Sequence, residues 1–193
     1  MLQIPAIEWD KKTVNGTSTI GSSTITGVAN TSSISVGMIV QDSAFPYPSL
    51  VVSKTATTIT LDHTATSNKT GAFDFYRRFD FTYPAKKDQG EQLKVNQSKA
   101  FSLSGVQQTI TNYIEAERNL TFSFLTLSEK TTIQDDFFVA WAAYGKSFRY
   151  FNDKENNVPT SYQMDTSDWK QTRIIKKHPD YLYEIDLKFR RVV

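Results

Sequence analysis

Ile34-Ser-Val-Gly-Met38-Ile-Val40, then Thr58-Ile-Thr-Leu61, then Gly71-Ala-Phe-Asp-Phe75 are the phrases whose reading decides the fold. Each is a short run with small or β-branched residues at alternate positions, a pattern that favours pleated strands. The stretch around them, Thr13 to Arg77, is dominated by Ser, Thr and Gly. Gly16, Gly21, Gly27, Gly37 and Gly71 can supply the turn conformations that join short strands. The reading is a small all-β module over residues 12–77. Its strands are expected at Ser18–Ile20, Ser23–Thr26, Met38–Gln41, Leu50–Lys54 and Thr57–Leu61, with Phe45-Pro-Tyr-Pro48 as a turn-rich loop. A core that small is marginal, so the module is expected to lean on the rest of the chain or on a neighbour.

Outward from the module the composition changes. Ile4–Trp9 reads as a first strand, placed at an edge by Pro5. Phe73-Asp-Phe75-Tyr-Arg-Arg-Phe79-Asp-Phe81-Thr-Tyr83 carries aromatics at a period of two, the mark of one half-buried strand or two end to end. Pro84 to Lys99 reads as a loop or exposed arm. Phe101–Leu103 and Thr109–Ile114 read as hairpin strands around Ser104-Gly105, and Leu120-Thr-Phe122-Ser-Phe124 as a core strand. One helix is expected over about 131–144, with a stripe of Ile133, Phe137, Phe138, Trp141 and Tyr144. Thr132 is its expected N-cap, Asp135 and Asp136 suit its first turn, and Gly145 its C-terminal stop. Phe148–Phe151 reads as a strand, Asn152 to Asn157 as a polar turn, and Tyr162–Met164 and Arg173–Ile175 as weaker strands. Tyr181-Leu-Tyr183-Glu-Ile185-Asp-Leu187-Lys-Phe189-Arg alternates most cleanly of all. The expected fold class is mostly β. Residues 1–11 and 78–193 form a β-sandwich or barrel-like sheet with one packed α-helix, and the small all-β module is inserted in it.

Composition narrows the function classes. The 193 residues suffice for one ordinary domain or two small ones, and 13 Phe, 9 Tyr and 3 Trp can fill a sizeable core. A net charge of +2 argues against nucleic-acid binding by bulk electrostatics. With no cysteine, disulfides, thiolate catalysis and zinc–thiolate sites are excluded. The start Met1-Leu-Gln-Ile-Pro-Ala-Ile-Glu-Trp9 lacks the build of a secretory signal, and no run is long enough to span a bilayer, so a soluble chain is expected. The Asn-x-Ser/Thr triplets at Asn15, Asn30, Asn68, Asn96 and Asn119 are ordinary chance matches in a chain this rich in Ser and Thr.

No residue set reads as a reactive centre. His63 and His178 have no second ligand at metal spacing and read as turn residues. Asp135-Asp136 points in diverging directions on a helix, unlike a glycosidase pair. Gly16-Thr-Ser-Thr-Ile-Gly21 has phosphate-loop glycine spacing without the Lys-Ser/Thr that should follow. The pairs Arg77-Arg78, Lys86-Lys87, Lys176-Lys177 and Arg190-Arg191 read as solvated surface or a subunit rim. No catalytic residue, cofactor or metal is expected. The candidate interface residues are Phe45, Tyr47, Lys86, Lys87, Tyr183, Ile185 and Phe189, and the final strand and the Pro84–Lys99 arm are expected to make contacts by edge addition.

Two resemblances rest on these phrases. Ile25-Thr-Gly-Val28, Ile34–Val40, Val52-Ser-Lys, Thr58–Leu61, Ala65-Thr and Gly71–Phe75 together resemble a small β module common in tailed-bacteriophage virion proteins, with Asp62 where that module usually has Ser. From Ser104 to Val193, the strand Leu120–Leu127, the helix with Phe137-Phe138, Gly145-Lys-Ser-Phe148-Arg-Tyr150 and the ending Tyr183–Val192 resemble the closing part of phage distal-tail and minor tail proteins. The resemblance implies a structural virion protein without catalytic residues. It would form a homo-oligomeric ring, commonly six-fold, in the distal tail or baseplate, with other tail proteins as partners. It would be assembled in the host cytoplasm, with no membrane and no specific nucleic acid. Alternatives are a head–tail connector, a tail-completion or tail-tube protein, or a carbohydrate-binding adhesin module using Tyr47, Tyr162, Trp169 and Tyr181; a wall hydrolase ranks last.

Overall fold

The computed structural model describes residues 3–101, 105, 107–155, 158–164, 168–176 and 181–192. Met1, Leu2, Leu103, Ser104, Asn157, Lys177, His178 and Val193, which figure in the expectations above, lie outside the described residues. The chain is mostly strand, in curled sheets, with one helix. It divides into two compact units. One comprises Ala6–Asp80 and Phe151–Pro159; the other comprises Met1–Pro5, Phe81–Tyr150 and Thr160–Val193.

In the first unit, β1 (Ala6–Ser18), β2 (Thr24–Ile25), β3 (Ile39–Gln41), β4 (Ser49–Lys54), β5 (Ile59–Leu61) and β6 (Lys69–Asp80) lie in the order β1-β6-β3-β4-β5-β2. The far ends then meet. Thr17 and Thr26 exchange both backbone hydrogen bonds, at 2.8 and 2.9 Å, so the sheet curls round and its edges are joined. Gly16 permits this closure. A Cβ there would stand 2.6 Å from Ile25 Cγ2 and 3.1 Å from the Thr26 carbonyl oxygen. The sequence reading gave Gly16 a turn role; its place is mid-strand, where two backbones approach closely. The interior is filled by Ile25, Ile34, Val40, Ile59 and Leu61 of the Ser/Thr-rich stretch, and by Phe73 and Phe75 of β6.

The boundaries drawn from composition, after residues 11 and 77, fall inside strands. β1 and β6 pair continuously from Ala6↔Asp80 to Ser18↔Lys69, with one irregularity between Trp9 and Lys12. Asp10 takes a φ of 54° there. That bulge interrupts the alternation, so the strand pattern in the sequence ends at Trp9 while the strand itself runs on to Ser18.

In the second unit, β7 (Lys87–Phe101), β8 (Gln107–Leu125), β11 (Trp169–Lys176) and β12 (Tyr181–Val192) form an antiparallel sheet ordered β11-β12-β8-β7. β9 (Phe148–Phe151) and β10 (Thr160–Tyr162) pair as a hairpin. Alternation on β12 buries Ile185, Leu187 and Phe189 against Leu120 and Phe122 of β8. Phe81 stacks on Phe122 with ring centroids 3.7 Å apart.

The helix begins earlier than its sequence pattern predicts. Thr126 is the N-cap, and it forms a reciprocal capping box with Glu129. α1 (Leu127–Thr131) runs into a π-helical segment, Thr132–Val139, and ends in a 3₁₀ turn, Ala142–Tyr144, closed by Gly145 in the left-handed conformation. Thr132 is therefore interior to the helix, and Thr126 takes the capping role because Glu129 stands at the answering position. The wider π turn brings Ile133, Phe137 and Phe138 to the buried side. Phe137 meets Phe148 edge-on at 4.9 Å, and Phe138 stacks on Trp169 at 5.0 Å. Tyr144, given to the same stripe, is 74 % exposed.

Candidate interaction surface

The polar segment Pro84–Lys99, expected as a loop or arm, is for most of its length a strand. β7 pairs with β8 from Lys87↔Thr121 to Phe101↔Gln107, a hairpin with arms of 15 and 19 residues. The Thr109–Ile114 and Leu120–Phe124 runs, expected as separate strands, are one strand, β8. The polarity of β7 misled because neither of its faces is covered along most of its length. Two bulges shape the hairpin. Gly90, at φ 67°, and Asp88 form the first, with the Gly90 N–H donating to Asp88 Oδ1 at 2.8 Å. Asn112 is the extra residue of the second, and its side-chain amide donates to Asn96 Oδ1 at 3.0 Å and Ser98 Oγ at 2.7 Å.

At the hairpin base, the core ends in a polar closure. Arg118 donates from Nε to Asp88 Oδ1 at 3.1 Å, and from Nη2 to Asp88 Oδ2. Its guanidinium lies 4.8 Å from the Tyr150 ring centroid. The Tyr162 hydroxyl donates to Glu91, whose other oxygen accepts from Arg191 at 2.9 Å. Burial disfavours the charged Arg118, but Asp88, Tyr150 and Tyr162 together outweigh it and the guanidinium is held above its ordinary pKa. Burial likewise opposes ionisation of Asp88, yet the Arg118 and Gly90 donors keep its carboxyl below the usual range. On the other face, Glu117 accepts from Lys188 at 2.9 Å and Lys94 at 3.2 Å. The Lys188 bond is the main reason its pKa is lowered.

Beyond this closure, β12 stops at its pairing with Glu115, and the hairpin continues as a two-stranded ribbon. Cross-strand partners share a face, so Leu93, Val95 and Ile114 continue the side that buries Ala116 and Leu120 below. They are 70, 48 and 38 % exposed, and Phe101 near the turn is 72 % exposed. A core-type face thus runs out of the body into solvent.

A second apolar patch lies at the opposite end of β8. Phe124 is 51 % exposed and its ring meets that of Tyr83 edge-on at 6.5 Å. Leu127, 57 % exposed, follows at the start of α1. Phe124 has a φ of 65°, a conformation that costs a bulky side chain about 1–3 kcal/mol. It sits at the irregularity between Tyr183 and Ile185 in the β12–β8 ladder, which turns its ring outward while Phe122 and Leu125 stay buried.

The residues nominated from sequence are dispersed. Phe45 is a core residue, edge-on to Phe73 at 6.3 Å. Ile185 and Phe189 are fully buried, and β12, expected to pair with a neighbour, is flanked on both sides by β11 and β8. Tyr47 is packed: its hydroxyl donates to the buried Glu8 at 2.7 Å and its ring stacks on Phe151 at 6.0 Å. Arg78, expected at the surface with Arg77, is also buried there, bonded to Glu8, Tyr47 and Asp80. Tyr183 is half-buried with Lys130 over its ring at 5.8 Å. Lys86 is exposed and pairs with Glu184 at 2.7 Å. Lys87 is exposed and lines a polar groove of about 450 Å³ with Asn119, Thr121, Asp186 and Lys188. Of the aromatics proposed for a sugar platform, Tyr162 is buried and Trp169 is stacked on Phe138. The ribbon residues Leu93, Val95 and Ile114 were missed; the Leu-x-Val pair was the one available signal, and it was submerged in polar neighbours.

No family model, curated protein or solved structure matches this chain.

Proposed function

We propose that this chain is a structural subunit of a tailed-bacteriophage virion, a ring-forming component of the distal tail or baseplate that works through protein–protein contacts. The observation that carries the reading is the ribbon beyond Glu115. It extends past the end of β12 and presents Leu93, Val95 and Ile114 to water. An isolated two-stranded ribbon is marginal in water, and exposed core-type faces mark interaction sites. The virion assignment itself rests on the sequence resemblance of the Ser/Thr-rich module and the closing strands. Antibody labelling of purified particles tests it. Gold at the tail tip supports the distal position, gold at the head–tail junction moves the subunit to a connector, and unlabelled, antigen-free particles overturn the reading.

A further inference from the structure

We infer that copies of this chain associate head to tail, the ribbon of one copy lying on the Tyr83–Phe124–Leu127 patch of the next. The inference rests on the reading of the chain as an assembling subunit and names the partner surface within it.

Both surfaces belong to the same unit and to the same strand. Ile114 and Phe124 are ten residues apart on β8, roughly 30 Å at strand rise. A continuous strand cannot fold its two ends onto each other, so neither patch can cover the other within one chain. A second copy can bring them together. The ribbon face with Leu93, Val95, Ile114 and Phe101 offers on the order of 300–400 Å² of apolar surface, the size at which such patches mark contacts. That is about half of the roughly 800 Å² per partner in a standard stable interface. Each single contact is therefore small, and a closed ring offsets that, because every copy then makes two such contacts, ribbon on one neighbour and patch under another, and leaving the ring breaks both.

Charge points the same way. Residues 93–114 hold two lysines and no acid; Lys94 lies on the other face, paired with Glu117 at 3.2 Å, and Lys99 is the cation on the face of Val95. The helix from Leu127 to Val139 holds Glu129, Asp135 and Asp136 against Lys130, three negative and one positive, a charge of −2. Asp135 and Asp136 are exposed, and Lys99 is exposed on the same ribbon face as Val95. Two ribbons laid together would oppose like charges, whereas ribbon on helix opposes unlike ones. Tyr83 is held in place for the contact, since the neighbouring Thr82 hydroxyl bonds to Glu129 of the first helical turn. Contacts between two different surfaces close into a ring or run on as a filament.

The chain has no cysteine, so single cysteines report contacts without background. Val95→Cys and Leu127→Cys are made separately, mixed as full-length protein, and oxidised. The mixture is expected to give a cross-linked dimer on a denaturing gel, with each variant alone giving at least tenfold less. Val95→Cys cross-linking to itself overturns the head-to-tail geometry in favour of two-fold ribbon pairing. Oligomers by light scattering with no cross-link overturn this contact while leaving the assembling reading intact. Monomers at every concentration, with or without virion extract, overturn both. Independently, Asp135→Lys/Asp136→Lys is expected to weaken association at least tenfold, and mixing it with Lys99→Glu protein to restore it. Equal weakening in the mixture overturns the charge pairing.

Discussion

Arg118 shows how much one side chain settles here. It is the last cation on the core face of β8, where aromatic packing gives way to water, and it joins Asp88 and Tyr150. Removing it leaves Asp88 without its main donor. Arg118→Ala is expected to cost about 1–2 kcal/mol in urea unfolding of the unit, since Asp88 is partly open to water, which screens the pair and can solvate the carboxylate left behind. Arg118→Lys should recover only part, because the fork reaches both oxygens of Asp88 and an ammonium cannot. The carboxylates Asp88, Glu117 and Glu184 have folded pKa values below ordinary ones. Their contribution is therefore present above the unfolded values of about 3.9–4.3 and is lost as pH falls through the lower folded values. Thermal melts should show a plateau above about pH 5 and a steady fall below about pH 4. Lys188→Met should flatten that fall by removing the main bond to Glu117.

Among the elements, the helix start and the ribbon respond to different forces. The Thr126–Glu129 box fixes where the helix begins, so Thr126→Ala should cost about 1 kcal/mol and fray the first turn. Fewer protected amides over Leu127–Thr131 in hydrogen exchange would register this. In the ribbon, Gly90 holds a left-handed bulge in open space. Gly90→Ala should therefore cost about 1–2 kcal/mol through backbone conformation alone, with no clash. Beyond Glu115 the described ribbon residues are held by the β7–β8 ladder and by side-chain bonds between the two strands. Its amides over 93–101 and 107–114 should exchange much faster than those of β8 from Leu120 to Leu125, which lie in the core. Protection there equal to that of the core in dilute, monomeric protein would contradict an unsupported ribbon.

For the whole molecule, stability and assembly should separate. Each unit has its own buried apolar set, and the ribbon adds almost nothing to either. Replacing residues 95–114 by a two-residue turn between the paired Lys94 and Glu115 is expected to change Tm by less than about 2 °C, since exposed positions contribute little. The same deletion should abolish association in light scattering. Phe122→Ala should do the reverse at the level of the fold: it removes a buried ring stacked on Phe81 and should cost about 3–5 kcal/mol.

The mostly-β class, the helix with Phe137 and Phe138 inward, the Gly145 stop and the alternation of β12 were all legible in the amino-acid order, because hydrophobic period is a local property. Four of the five Ser/Thr-rich strands were legible for the same reason; the fifth, Ser18–Ile20, is the end of β1 and the turn that follows it. What only the tertiary structure decided depends on neighbours distant in sequence. Gly16 is mid-strand because Ile25 and Thr26 come against it, and β1 runs through its bulge because β6 holds it on both sides. Phe45, Ile185 and Phe189 became core rather than contact surface because other elements cover them, and nothing in a run of residues says which apolar face will be covered. The ribbon is the converse case: β7 looked like a loop because its faces stay wet, and its strand form comes from β8, which supplies the hydrogen bonds that its own side chains do not announce.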